Sequence, residues 1–114
     1  MRIFITGGAG FIGIHLCKKL LELNHDVTVY DNFSNSLQEN FDSEINQKVT
    51  VVSGDILDIS KLVTSMQNHE IVIHLAAQIS VPESVKNPKL TFDVNVNGTH
   101  NVLESCKKNK ISKI

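Results

Sequence analysis

Ile3-Phe4-Ile5-Thr6-Gly7-Gly8-Ala9-Gly10-Phe11-Ile12-Gly13 reads as a short apolar strand, a glycine turn and the opening of a helix. Gly8, Gly10 and Gly13 fit the pattern G-x-G-x-x-G, whose glycines have separate tasks. One allows a sharp exit from the strand. One bares the backbone to an approaching pyrophosphate, and one lets the new helix pack close to the strand. The first N–H groups of a helix lack intrahelical partners and lie at the positive end of its dipole, so an anion fits there.

Outward from this turn, strands and helices alternate. Arg2 to Thr6 is apolar with little alternation, as in a strand covered on both faces. Phe11 to Leu23 carries Ile12, Leu16, Leu20 and Leu23 at helical spacing, with Lys18 and Lys19 pointing outward near the negative end of the dipole. Asn24-His25-Asp26 breaks that helix, and Val27 to Tyr30 forms a second strand ending at Asp31. Asn32 to Lys48 is polar, with Phe33, Leu37, Phe41 and Ile45 four apart, which predicts a loop leading into a short amphipathic helix. Val49 to Ser53 is a third strand, and Asp58 or Ser60 caps a helix running to about Asn68. Glu70 to Leu75 is a fourth strand, left by Ala76-Ala77-Gln78. Pro82 and Pro88 bracket a loop or helical turn. Pro88 suits a helix start, and Phe92, Val96, Val102, Leu103 and Cys106 extend that helix to about Asn109. Ile111 to Ile114 looks like the opening of a fifth strand. The expected fold is a single α/β domain over residues 1–114: a Rossmann-type parallel sheet of order 3-2-1-4 with right-handed crossovers and helices on both faces. In such a sheet ligands bind at the carboxyl ends of the strands where the order reverses, here between strands one and four.

Composition narrows the function. The 114 residues carry 11 basic and 12 acidic side chains, a net charge of −1, so no electrostatic footprint for nucleic acid or an anionic membrane is present. The apolar run Ile71 to Ala77 is interrupted by His74 and is too short to span a bilayer. Arg2 already begins a strand, so no secretory leader is expected. Cys17 and Cys106 have no metal-ligand spacing and read as buried thiols of a reducing cytoplasm.

Asp31 ends the second strand and follows Gly13 by 18 residues, close to the ~20 expected of the acid that binds the ribose of a dinucleotide. Its carboxylate would repel a 2′-phosphate, and the only arginine is Arg2, so NAD is favoured over NADP. The plainer alternative is a strand-end aspartate beginning a turn with Asn32. Asp55 could accept from an adenine amino group while Ile56 packs on the ring, although Gly-Asp after a strand is commonly just a turn. Ala76 and Ala77 suit a bulky cofactor or a core. His74, on a buried strand, reads as a hydrogen-bonded core histidine rather than a catalyst.

Thr6-Gly7-Gly8-Ala9-Gly10-Phe11-Ile12-Gly13, Tyr30-Asp31-Asn32, Gly54-Asp55-Ile56, His74-Leu75-Ala76-Ala77 and Asn95-Val96-Asn97-Gly98-Thr99, together with Ser84 and Pro88, follow a familiar order. The first run resembles the T-G-x-x-G-x-x-G turn of extended short-chain dehydrogenases/reductases. The whole set resembles the N-terminal part of the NAD-dependent epimerase/dehydratase family, of the UDP-glucose 4-epimerase type. The resemblance implies that Gly7, Gly10 and Gly13 form the turn and that backbone at Phe11 and Ile12 holds the pyrophosphate. It implies that Asp31, Asn32, Ser34, Asn35 and Ser36 surround the adenosine ribose and that Asp55 and Ile56 flank adenine. Leu75, Ala76, Ala77 and Gln78 would line the nicotinamide side, with Ser80 near the same path and Asn95 on the helix behind it. Val94 stands where epimerases often carry a polar residue that touches the cofactor.

The family's reaction is a transient oxidation of a sugar hydroxyl by bound NAD. Its proton transfer uses a Ser/Thr and a Tyr-x-x-x-Lys pair beyond the fifth strand. The one tyrosine here, Tyr30, is followed four residues later by Ser34, not Lys. No catalytic or metal-ligating residue is therefore expected in 1–114, and the nucleotide-sugar substrate belongs to a longer parent. The alternative is a stand-alone, non-catalytic NAD-binding module. An open edge on strand four would invite self-association.

Overall fold

The computed structural model describes residues 1–34, 43–78 and 81–114. Four parallel strands, β1 (Arg2–Thr6), β2 (Asp26–Asp31), β3 (Thr50–Ser53) and β4 (Ile71–His74), form one sheet in the order β3-β2-β1-β4. The expected topology is the observed one. Central β1 explains the order: Ile3 pairs with Val27 on one side and Ile71 on the other, and Phe4 to Thr6 continue both registers.

Both faces of β1 are covered, so its residues divide by the period of two. Ile3 and Ile5 join Val27, Val29, Cys17 and Ile45 on the face carrying α1 (Phe11–Glu22) and α2 (Ser43–Lys48). Phe4 joins Tyr30, Leu62, Met66, Val72, Val102 and Cys106 on the other face, under α3 (Ile59–Ser65) and α6 (Thr99–Lys108). A strand with two apolar faces cannot alternate in sequence, which is why Ile3 to Ile5 reads as one unbroken apolar run.

Helix α1 departs from the expected stripe. Ile12 is 67% exposed and Leu23 55% exposed, while Gly13 and Cys17 are buried and Leu16, Leu20 and Leu21 pack against the core. The contact point is Gly13, which draws the helix onto the glycine turn and rotates the buried stripe to Gly13, Cys17 and Leu20–Leu21. The loop into α2 is as expected at Ile45, which is buried; Leu37 and Phe41 lie outside the described residues. Asp58 caps α3, its Oδ1 accepting from Lys61 N–H at 3.2 Å. That helix stops at Ser65, and Asn68 turns the chain with φ +65.

The long helix expected from Pro88 is in three parts. Asn87 caps α5 (Pro88–Phe92) by accepting from Leu90 N–H at 3.2 Å, with Pro88 in the first turn. A π-helical turn, Asp93–Gly98, comes next and leads directly into α6. Before them, α4 (Val81–Lys86) occupies the stretch around Pro82. The expected fifth strand is reduced to one parallel bridge between Lys113 and Ile71, with Val72 N–H donating to Lys113 O at 3.0 Å. No helix among the described residues is long and apolar enough to cross a membrane.

The approach of α1 to the turn tolerates no side chain. A Cβ at Gly13 would lie 2.5 Å from both Cα and O of Gly8. Gly13→Ala should therefore lower stability by about 2 kcal/mol or more, the range of core overpacking, measured as a urea midpoint. An unchanged midpoint would contradict this packing.

Candidate functional site

The carboxyl ends of β1, β2 and β4 converge on the glycine turn. Gly7 takes φ +70, and its N–H donates to Tyr30 O at 2.8 Å, which binds the turn to the end of β2. A Cβ at Gly7 would lie 2.7 Å from Ala76 N, and one at Gly8 would lie 2.9 Å from both Val29 methyl groups. Gly7, Gly8 and Gly13 are thus demanded by the chain itself. Gly10 is not. It has φ −75 and ψ 178, open to any residue, and a Cβ there would meet only Gly7 O, at 3.4 Å. Gly10 also begins α1, where no side chain caps the helix and the first turn carries no acid. The bare backbone at Gly10 and the uncapped first N–H groups of α1 make a corner whose chemistry suits an anion.

This corner opens into a cleft of about 380 Å³. Gly7, Gly10 and Phe11 form its middle. Asp31, Asn32, Ser34, Asp55 and Ile56 form one end, and Leu75, Ala76, Ala77 and Gln78 form the other. Of the residues expected from sequence, Ile12 and Gly13 do not line it. Gly13 is buried beneath the turn, and Ile12 turns its side chain to solvent, leaving its backbone N–H at the helix start. Asn35, Ser36 and Ser80 lie outside the described residues.

The polar end is built on Asp31, only 8% exposed. Its Oδ2 accepts from Ala9 N–H at 3.1 Å and its Oδ1 from Phe33 N–H at 2.7 Å. The carboxylate therefore starts the turn after β2, the plainer of the two roles read from sequence, and also anchors the glycine turn. Remaining lone pairs on both oxygens leave it able to accept more. Asn32 Oδ1 accepts from Ser34 N–H at 3.0 Å, and Asp55 Oδ1 accepts from Leu57 N–H at 2.9 Å. Ile56 lines the cleft at its edge but is only 6% exposed, because most of its side chain packs into the core below α6.

Sequence reasoning missed Tyr30, Gly54, Leu57 and Leu90 as lining residues. Tyr30 O–H donates to Asp55 O at 2.7 Å, fixing the Asp55 loop. Burial, then the charges of Asp58 and Asp55, push the Tyr30 pKa up to about 12, so the phenol keeps its proton near neutrality. A Cβ at Gly54 would collide with Tyr30 Cζ at 2.5 Å. The Gly-Asp pair after β3 is thus set by a tyrosine on β2, a signal no local pattern carries. Leu90 and Val94 come from α5 and the π turn and give the Leu75–Gln78 end an apolar wall.

His74 is hydrogen-bonded as expected, although it is half-buried rather than part of the core. Its Nδ1 lies 2.6 Å from Thr6 Oγ1 and its Nε2 3.0 Å from Thr99 Oγ1. Thr99 O–H donates to Asn95 O at 2.8 Å, so its oxygen must accept from His74 Nε2–H. Thr6 Oγ1 accepts from Leu75 and Ala76 N–H at 3.2 and 3.3 Å, so its own proton goes to His74 Nδ1. The network specifies the neutral Nε2–H tautomer. Burial lowers the pKa of His74 from 6.5. Cys17 and Cys106 are free and buried, with burial pushing the Cys17 thiol up to about 11 and raising Cys106. Among the described residues no cluster of His, Cys, Asp or Glu could hold a metal ion.

The sheet order and the turn at its switch point define a Rossmann-type α/β domain. The chain belongs to the GDP-mannose 4,6 dehydratase family, whose model matches residues 4–114. It is 45% identical over 114 residues to a Methanocaldococcus jannaschii protein provisionally named UDP-glucose 4-epimerase, covering 98% of this chain and 36% of that protein. The UDP-glucose 4-epimerase of Stenotrophomonas maltophila, solved with bound NAD and formylated UDP-arabinopyranose, superposes with a TM-score of 0.90 at 33% identity. That match covers 98% of this chain and 35% of the other. The Thermus thermophilus UDP-glucose 4-epimerase in complex with NAD gives a TM-score of 0.88 at 36% identity, again over 98% and 35%. The chain spans about a third of the length of these relatives.

The tautomer can be tested by pH. The unfolded chain takes up the His74 proton near 6.5 and the folded chain only at lower pH. His74 therefore supports the fold above pH 6.5, and that support is lost as the pH falls through the lowered folded value. Long-range proton–nitrogen NMR spectra should show neutral Nε2–H His74 persisting at pH 6.5. An imidazolium pattern half-populated there would contradict the network.

Proposed function

We propose that the chain is the NAD-binding portion of a nucleotide-sugar epimerase of the UDP-glucose 4-epimerase type. The observation that carries this reading is Gly10, the one glycine of the turn whose missing side chain neither backbone conformation nor packing explains. A diphosphate pressed against the backbone accounts for it. The cleft's polarity supports the same orientation. Asp31 and Asp55 mark an adenosine end, where accepted hydrogen bonds from ribose hydroxyls and an adenine amino group suit carboxylates. Leu75, Ala76, Leu90 and Val94 mark an apolar end for the nicotinamide ring. Solved relatives carry NAD.

When bound, NAD supplies the hydride acceptor for transient oxidation of a sugar hydroxyl. The chain's own residues bind it, orient it and wall it off from water. They do not move the substrate's proton: Tyr30, the only tyrosine, donates to Asp55 O and holds its proton up to about pH 12. Residues 1–114 thus contribute cofactor binding, while a nucleotide-sugar site and proton transfer belong to a longer parent. A reducing, cytoplasmic setting goes with this reading, supported by the two free buried thiols.

Titration calorimetry tests the cofactor assignment. The chain should bind NAD more tightly than NADP. Asp31→Ala, which removes charged acceptors worth roughly 1.5–3 kcal/mol, should weaken NAD by about tenfold or more and narrow that preference. Because Asp31 also anchors Ala9 and Phe33, the ratio of the two affinities is the decisive quantity, and an unchanged ratio would contradict its role as the ribose acceptor.

A further inference from the structure

Leu75 to Gln78 leaves β4 as irregular backbone, yet with Leu90 and Val94 it forms one end of the cleft. Its root is held by β1: Leu75 N–H donates to Thr6 O at 2.9 Å, and both Leu75 and Ala76 N–H reach Thr6 Oγ1. At its far end the Asn95 side chain takes hold of it. Gln78 N–H donates to Asn95 Oδ1 at 2.7 Å, and Asn95 Nδ2 donates back to Gln78 O at 3.1 Å. A primary amide offers one acceptor and two donors on adjacent atoms, so it can pair with both backbone groups of a single residue as a neighbouring strand would.

Asn95 owes its position to the π turn Asp93–Gly98. A regular α-helix advances 100° per residue; the wider π turn inserts an extra residue and rotates the later residues relative to the earlier ones. Here it lets Val94 line the cleft while the next residue, Asn95, clasps Gln78. Such insertions cost helix geometry and cluster at functional sites. The same turn closes a circuit, since Asn95 O accepts from Thr99, Thr99 from His74, and His74 from Thr6. Both ends of the wall hang on one set of hydrogen bonds.

We infer that Asn95 is a positioning residue for the nicotinamide half of the cofactor, its two-bond clasp on Gln78 holding the Leu75–Gln78 wall in the place where that ring lies. The inference rests on the NAD reading above. Asn95 is exposed, so its contribution is local order at the wall rather than core stability.

The test compares NAD with ADP-ribose, which has the adenosine and both phosphates but no nicotinamide, by calorimetry on the chain. Asn95→Ala should weaken NAD by roughly tenfold and ADP-ribose by less than about twofold, the loss expected of two modest hydrogen bonds acting at one end of the cleft. Asn95→Asp keeps the acceptor for Gln78 N–H and should fall between, again for NAD only. If the alanine variant does not fold, the aspartate variant is judged by the same criterion. Equal losses for the two ligands, or no loss for NAD, would overturn the positioning role. A wild-type chain that binds neither ligand would overturn the NAD reading itself.

Discussion

Where β1 ends, three parts of the chain come within contact of bare Cα atoms: Ala76 leaving β4, Val29 of β2, and the first turn of α1. Hydrogen atoms at Gly7, Gly8 and Gly13 are what the space allows. This crowding places the positive end of a helix dipole directly over the switch point of the sheet. Everything in the cleft depends on that placement. Its middle is bare backbone at a helix start, its polar end is the tip of β2 and the loop after β3, and its apolar end is the exit of β4 with α5 behind it.

Asp31 shows how the fold and the cleft share groups. Its carboxylate holds Ala9 and Phe33 by their N–H groups, so it orients the glycine turn from the side of β2 while facing the cleft. Tyr30, one residue earlier and on the opposite face of the strand, performs the matching task from the core. It takes Gly7 N–H on its carbonyl, gives its hydroxyl proton to Asp55 O, and leaves Gly54 no space for a side chain. Two consecutive residues of β2 thereby position both the glycine turn in the middle of the cleft and the Asp55 loop at its polar end.

The parts of this arrangement that were legible in the sequence are those set by local periodicity and by glycine spacing. The unbroken apolar run at Ile3–Ile5, the turn after it, the acid ending β2 and the sheet order all belong to this class. The buried stripe of α1 was misread because hydrophobicity pointed to Ile12, whereas the geometry turns on Gly13, which has no side chain to score. The π turn was invisible because a heptad-like apolar pattern from Phe92 to Cys106 is compatible with one α-helix and carries no mark of an inserted residue. Tyr30, Gly54 and Leu90 were missed because their place in the cleft depends on contacts between elements distant in sequence. The separation of Gly10 from the other glycines is likewise a product of three-dimensional packing: all four look alike in the sequence, and only one has space around it.

That asymmetry makes Gly10→Val the most direct measurement of the account. Valine is compatible with φ −75 and ψ 178, and its Cβ would meet nothing closer than Gly7 O at 3.4 Å, so the variant should unfold at nearly the wild-type temperature. Its branched methyl groups would occupy the position of a diphosphate lying on the backbone, and calorimetry should register no NAD binding. A folded Gly10→Val chain that takes up NAD with wild-type affinity would contradict the claim that bare amides at this turn hold the cofactor.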